Sequence, residues 1–310
     1  VKYDYNSEVM VTVGGSEAID IAFRTMLDEG DEVLIPQPSY VSYLPCAYMA
    51  GGVPKIIELK EENEFKLTKE QLVNAITPKT KILVMPFPNN PTGAIMTKDE
   101  LAQIVDVIIE NDIYVLSDEI YSELTFKDEH CSIASFDGMK ERTIVVNGFS
   151  KSYAMTGWRL GYAAAPANIL KQMLKLHQFA IMCAPTNSQY AAVVALRECD
   201  EEVEKMKEAY NARRRYLVHE FKEMNLKCFE PFGAFYIFPS IKEFGMTSDE
   251  FATRFLKEEK VAVVPGTAFG DCGEGYLRIS YAYSLDDLKV AIGRMKDFIN
   301  KLRKEKESEK

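Results

Sequence analysis

The stretch Ser150-Lys151-Ser152-Tyr153-Ala154-Met155-Thr156-Gly157-Trp158-Arg159-Leu160-Gly161 decides how this chain is read. It follows an apolar run over residues 143–146, which is bounded by Asn147-Gly148 and has the character of a buried strand. A lysine just past such a strand, with glycines and an arginine a few residues on, fits a specific chemistry. The amine forms an imine with an aldehyde, and the guanidinium clamps an anion. A free lysine titrates near ~10.4. Burial and neighbouring positive charge lower that value and make the amine a usable nucleophile. A loop lysine beside a surface arginine carries the same letters, so the surrounding sequence has to decide.

Upstream, a short strand over residues 10–13 stops at Gly14-Gly15, and Ser16 opens a helix with Ile19, Ala22, Phe23 and Met26 on one face. A strand over 32–35 is cut by Pro36 and Pro38, which leaves Ser39-Tyr40 in a loop or at a helix start. A helix over 67–76, a strand over 81–85, a helix over 98–111 and a strand over 113–116 follow. Strands alternating with helices imply an α/β fold with a mostly parallel, doubly wound sheet.

Downstream of Ala184-Pro185, helices are expected over 187–197 and 200–224. The second is long, strongly charged and free of Gly and Pro, as a connector would be. Strands over 233–238 and 276–281 and a last helix over 285–302 make a smaller C-terminal α/β domain. The tail over 303–310 reads as a solvated charge run that frays. A chain of 310 residues exceeds what one core usually supports. The expected division is a large domain over 1–199, then an inter-domain helix and small domain over 200–310.

The net charge of −10, from 37 basic and 47 acidic residues, argues against nucleic acid or an anionic membrane as the main partner. No apolar run is long enough to cross a bilayer, and no signal peptide is evident. Six scattered cysteines point to a reduced, cytoplasmic compartment and offer no metal site; His130, His177 and His219 form no ligand cluster.

Several residues outside the opening stretch carry chemistry. Gly14-Gly15-Ser16-Glu17-Ala18 sits where a strand gives way to a helix, a natural anion site, although a tight turn with a capping serine reads the same. Asp118 ends a buried strand, where open α/β sheets place their ligands, or else it caps a helix. Tyr121 shares its side if a helical turn follows. Asn90 precedes Pro91 and satisfies a turn as well as it would a ligand. Arg278, between Leu277 and Ile279, faces away from both if the segment is a strand, and its planar fork suits a carboxylate.

Four segments, in this chain order, resemble one family. They are Asn89-Asn90-Pro91-Thr92-Gly93, Val115-Leu116-Ser117-Asp118-Glu119-Ile120-Tyr121, the stretch Ser150 to Gly161, and Tyr276-Leu277-Arg278-Ile279-Ser280. They look like the pyridoxal-phosphate aminotransferases of fold type I, class I/II, and the likeness runs over essentially the whole chain. It implies pyridoxal 5'-phosphate as cofactor, held as an imine on Lys151, which then moves a proton as general base and acid. It implies that Gly15, Ser16, Glu17, Ser150 and Arg159 hold the phosphate, although some relatives have serine where Gly148 stands. Tyr40 would stack on the cofactor, Asp118 would keep the ring nitrogen protonated, and Tyr121 and Asn90 would bond the ring oxygen. Arg278, with Asn90, would take the substrate carboxylate.

The implied activity is amino-group transfer from an L-amino acid to a 2-oxo acid in a homodimer, with glutamate and 2-oxoglutarate as the default pair. A fold type I lyase that eliminates at the β-carbon uses much the same residues, and ligand-sensing domains share the fold. Family members usually carry several dozen residues ahead of the position of Val1, including a tyrosine that reaches the neighbouring subunit's phosphate. The resemblance therefore implies weaker phosphate binding for the chain as given.

Overall fold

Strand β1 (Val9–Thr12) runs into helix α1 (Gly14–Met26) with Val13 alone between them. The computed structural model describes residues 1–308 and then alternates strand and helix. β2 (Glu32–Gln37), α2 (Tyr43–Met49), β3 (Val53–Glu58), α3 (Lys69–Ala75), β4 (Thr80–Met85), α4 (Lys98–Glu110) and β5 (Tyr114–Asp118) come first. β6 (Thr143–Gly148), β7 (Gly161–Ala164) and α5 (Ala167–Ala180) complete this layer. The seven strands form one sheet in the order β1-β7-β6-β5-β4-β2-β3. Only β7 runs against the rest, pairing antiparallel with β6 on one side and β1 on the other.

Period-two burial makes the sheet two-faced. Val33, Ile35, Ile82 and Val84 pack with Ala18, Ile19, Ala22 and Phe23 of α1 and with Ile169 and Met173 of α5. Leu34, Leu83 and Val115 point the other way, to Leu72 of α3 and Leu101, Ile104 and Ile108 of α4. Helices α3 and α4 each start with a capping box, Thr68 with Gln71 and Thr97 with Glu100, which satisfies first-turn donors.

Helices α6 (Thr186–Glu198) and α7 (Asp200–Glu223) lead to a three-stranded sheet of β8 (Tyr236–Ile237), β9 (Val264–Pro265) and β10 (Leu277–Ser280), in the order β8-β10-β9. Its core joins Leu217 and Phe221 of α7 to Phe251 and Phe255 of α8 (Ser248–Glu259) and to Ile292, Phe298 and Ile299 of α9 (Leu285–Ser308). Phe65 joins the two regions: it is fully buried, with edge contacts to Phe229, Phe238 and Tyr276 at ring-centroid distances of 6.0, 5.8 and 5.5 Å. The α/β class, the mostly parallel sheet and the smaller C-terminal α/β region are as expected.

Four local expectations are corrected. Helix α1 begins at Gly14, not Ser16, so both glycines lie inside its first turn. Strand β2 continues through Pro36. The backbone of residue 36 points toward β4, and pairing with β4 ends at Leu34, so the missing N–H costs no ladder bond. The strand expected over 233–238 shrinks to Tyr236–Ile237. The tail does not fray at 303: α9 runs to Ser308, and Arg303 donates to the Met224 carbonyl and to Glu243, each at 2.8 Å. Residues 309–310 of that tail lie outside the described residues.

Candidate active site

The site is assembled where β4, β5 and β6 end, on the C-terminal edge that open α/β sheets use for ligands. A cavity of about 280 Å³ there is lined by Gly15, Ser16, Tyr40, Asn90, Asp118, Tyr121, Ser150, Lys151, Arg159 and Arg278. Ten residues separated by up to 263 positions in sequence, from Gly15 to Arg278, thus share one space. A second cavity of about 310 Å³, bounded by Met85, Ser117, His130 and Cys131, contains none of them. Size does not choose between the two cavities; the chemistry of the lining does.

One end of the site is an anion cradle. Gly14 has φ +72°, and a Cβ there would sit 2.7 Å from Nη2 of Arg159, so the guanidinium lies directly against the first turn of α1. Arg159 is itself left-handed, at φ 53°, and donates from Nη1 to the Thr156 carbonyl at 3.0 Å. A helix N-terminus and a guanidinium converge, and both favour negative charge. Gly161 permits this approach: a Cβ there would fall 2.6 Å from Gly14 C and 2.7 Å from Gly15 N. Ser16 Oγ lies 3.3 Å from the Tyr40 hydroxyl, and Ser150 is buried beside Lys151.

Glu17 belongs to the same turn, whose anion reading rests on backbone amides. Its side chain does not line the cavity. It accepts from the Val13 N–H and, 2.7 Å away, meets Nδ1 of the buried His177 on α5. Charge on a first-turn glutamate is better used behind the turn than beside an anion it would repel. His177 is a buried residue of α5.

Asp118 is buried, accepting from the Tyr43 hydroxyl at 2.6 Å and from the Ile120 N–H at 3.2 Å. Burial raises its carboxyl above the ordinary aspartate range, while the Tyr43 and Ile120 bonds pull the other way. Lys151 is shifted in the opposite sense: burial lowers its ammonium, the charges of Arg159 and Arg278 lower it further, and Asp118 opposes them. Its Nζ lies 6.0 Å from the Tyr121 ring centroid and 5.9 Å from that of Phe235. The Tyr121 hydroxyl is 3.1 Å from that of Tyr236, and burial first, then Tyr236 and Asp118, keep it a neutral phenol.

Arg278 donates from Nη1 to Oδ1 of Asn90 at 3.2 Å. Its guanidinium packs on the rings of Tyr236 and Phe269, at 4.5 and 4.8 Å from their centroids. Its Nε is buried with no protein partner, a strong donor left for a carboxylate. Tyr43, Tyr236 and Phe269 are parts of this machinery that the sequence reading missed. A lone aromatic carries no signal for a hydroxyl partner 75 or 115 residues away.

An anion cradle, a lowered lysine, a buried carboxylate and an unpartnered arginine donor are the groups that an aldehyde-bearing, phosphorylated pyridine requires. The residues fit pyridoxal phosphate.

Comparison with known proteins agrees. The family model "Aminotransferase class I and II" matches residues 1–295. The chain is 49% identical to the putative aminotransferase YugH of Bacillus subtilis, over 97% of this chain and 78% of that protein. It is 48% identical to an aspartate aminotransferase of Pyrococcus abyssi, over 95% and 77%. The crystal structure of an aromatic aminotransferase from Pyrococcus horikoshii superposes with a TM-score of 0.96 at 45% identity, covering 98% of this chain and 82% of that one. The chain belongs to the class I and II aminotransferases. It is an amino-acid aminotransferase, its cofactor is pyridoxal 5'-phosphate, and its substrates are an amino acid and a 2-oxo acid. Among the described residues no helix is long and apolar enough to cross a membrane.

Proposed function

We propose that Lys151 carries the cofactor and relays the proton on which amino transfer turns. One observation carries this reading: a lysine amine held below its ordinary range shares a cavity with an anion cradle, a buried carboxylate and an arginine whose Nε has no protein partner. Bound pyridoxal phosphate supplies an electron sink that makes the substrate α-proton acidic. Nζ of Lys151 would hold the cofactor's aldehyde and, when free, would serve as the base and acid for the substrate α-proton. The Asp118 carboxylate, oriented by Tyr43, would hold the ring nitrogen protonated. The neutral Tyr121 phenol and Asn90 would bond the ring oxygen, and the Tyr40 ring would cover one face.

Arg159, the amides of the first α1 turn at Gly15 and Ser16, and the Ser16 and Ser150 hydroxyls would hold the phosphate. Glu17 supports that turn from behind. Arg278, levelled by Asn90, takes the substrate carboxylate through its fork. The test is Lys151→Ala. Turnover should fall by roughly a thousandfold or more, and borohydride should no longer fix the cofactor to the protein. Near wild-type turnover would sink the assignment.

The finer reading is broad amino-donor specificity, with glutamate and 2-oxoglutarate as one pair. It is supported by relatives whose names cover both aspartate and aromatic amino acids. A spectral screen of amino acids, each followed by candidate 2-oxo acids, tests it. We further propose a cytoplasmic homodimer with a division at 199/200. Phe179, Met182 and Tyr190 are 92, 80 and 74% exposed on and after α5, which favours a partner there. The six cysteines are free, and each sheet has a core of its own, the two meeting around Phe65. Light scattering that returned a monomer would remove the dimer from this reading.

A further inference from the structure

We propose that Tyr236 is a positioning residue that joins the substrate-carboxylate arginine to the phenol of Tyr121, so that one side chain sets both. The proposal rests on the roles given above to Arg278, Tyr121 and Lys151. Tyr236 is buried on β8 and pairs with Ser280 of β10, the strand that carries Arg278. Its ring and its hydroxyl do different things. The ring lies under the Arg278 guanidinium at 4.5 Å, and the Phe269 ring also packs on it at 4.8 Å, so the fork is held in place before a carboxylate arrives. The hydroxyl lies 3.1 Å from the Tyr121 hydroxyl.

In a pair of buried hydroxyls only one proton occupies the shared line. If Tyr236 donates it, the Tyr121 proton is left to point at the cofactor ring oxygen, and accepting a bond makes Tyr121 the better donor. Burial holds both phenols in the neutral form that this relay needs. The Lys151 amine lies over the same Tyr121 ring. A tilt of Tyr236 therefore reaches the substrate fork and the cofactor oxygen together.

The two functions separate by substitution. Tyr236→Phe keeps the ring and removes the hydroxyl; Tyr236→Leu removes both. Donation to the ring oxygen stabilises its anionic form. Weaker donation therefore raises the midpoint of the pH titration of the holoenzyme's visible band. For Tyr236→Phe we expect a rise of roughly half to one pH unit and a KM for glutamate within about twofold of wild type. For Tyr236→Leu we expect the same rise together with a KM about tenfold higher. Tyr121→Phe should raise the midpoint further, and adding Tyr236→Phe to it should change nothing more.

An unmoved midpoint in Tyr236→Phe, or shifts of the two phenol variants that simply add, would overturn the relay. Equal KM values for the Phe and Leu variants would overturn the clamp. Should the Leu variant fail to fold, Tyr236→Phe and the double variant still decide the relay. A wild-type holoenzyme without a visible band would instead overturn the role given to Lys151.

Discussion

At the scale of single residues, the site opposes two ordinary tendencies. A buried carboxyl prefers to be neutral and a buried lysine prefers to be uncharged, yet Asp118 and Lys151 stand in one cavity. Because the folded pKa of Asp118 is raised above its unfolded value near ~3.9, the folded state binds its proton more tightly. Its stabilising proton is present at low pH and is lost as pH rises through the folded value, so at neutral pH the charged form weakens the fold. The apoprotein of Asp118→Asn should therefore melt higher than the wild-type apoprotein at pH 7, while its activity collapses. The difference should shrink as pH falls toward about 4. A lower melting temperature at pH 7 would show that the Tyr43 and Ile120 bonds outweigh burial. The residues legible in sequence were those in contiguous motifs: Asp118, Lys151, Arg159 and Arg278. Tyr43, Tyr236 and the true direction of Glu17 depend on partners far along the chain, and no local pattern encodes such a partner.

At the scale of elements, the close packing of β6, β7 and the start of α1 depends on glycine. Gly161→Ala would drive its Cβ into the backbone of Gly14 and Gly15, which cannot rotate away as a side chain could. Overpacking of this kind costs about 1–3 kcal/mol. Here it should also raise the dissociation constant for pyridoxal phosphate by about tenfold or more, measured by equilibrium dialysis, because the displaced turn is the cradle. Long elements with strong periodicity, such as α4 and β4, were readable from sequence. Helix α8 was not expected, although Thr247-Ser248-Asp249-Glu250 spells the capping box it uses. Strand β7 escaped because Gly-Tyr-Ala-Ala has little β-branched character; it is a strand because neighbours on both sides pair with it.

At the scale of the whole molecule, two cores meet at a few aromatic side chains. Phe65 fills the junction, and Phe65→Ala should cost about 3–5 kcal/mol, read as a lowered urea midpoint, with no residue of the cavity altered. The order of the large sheet has a different kind of consequence. β1 is its outer strand, held on one flank only by β7, and it leads straight into the turn that receives the phosphate. An edge strand is where native backbones open first. Amide hydrogens of Val9–Thr12 should thus exchange with deuterium through local opening in the apoprotein and slow markedly once the cofactor is bound, while those of β4 stay protected in both. The cofactor would then close the margin of the sheet, and its escape rate would be governed by how often that margin lifts.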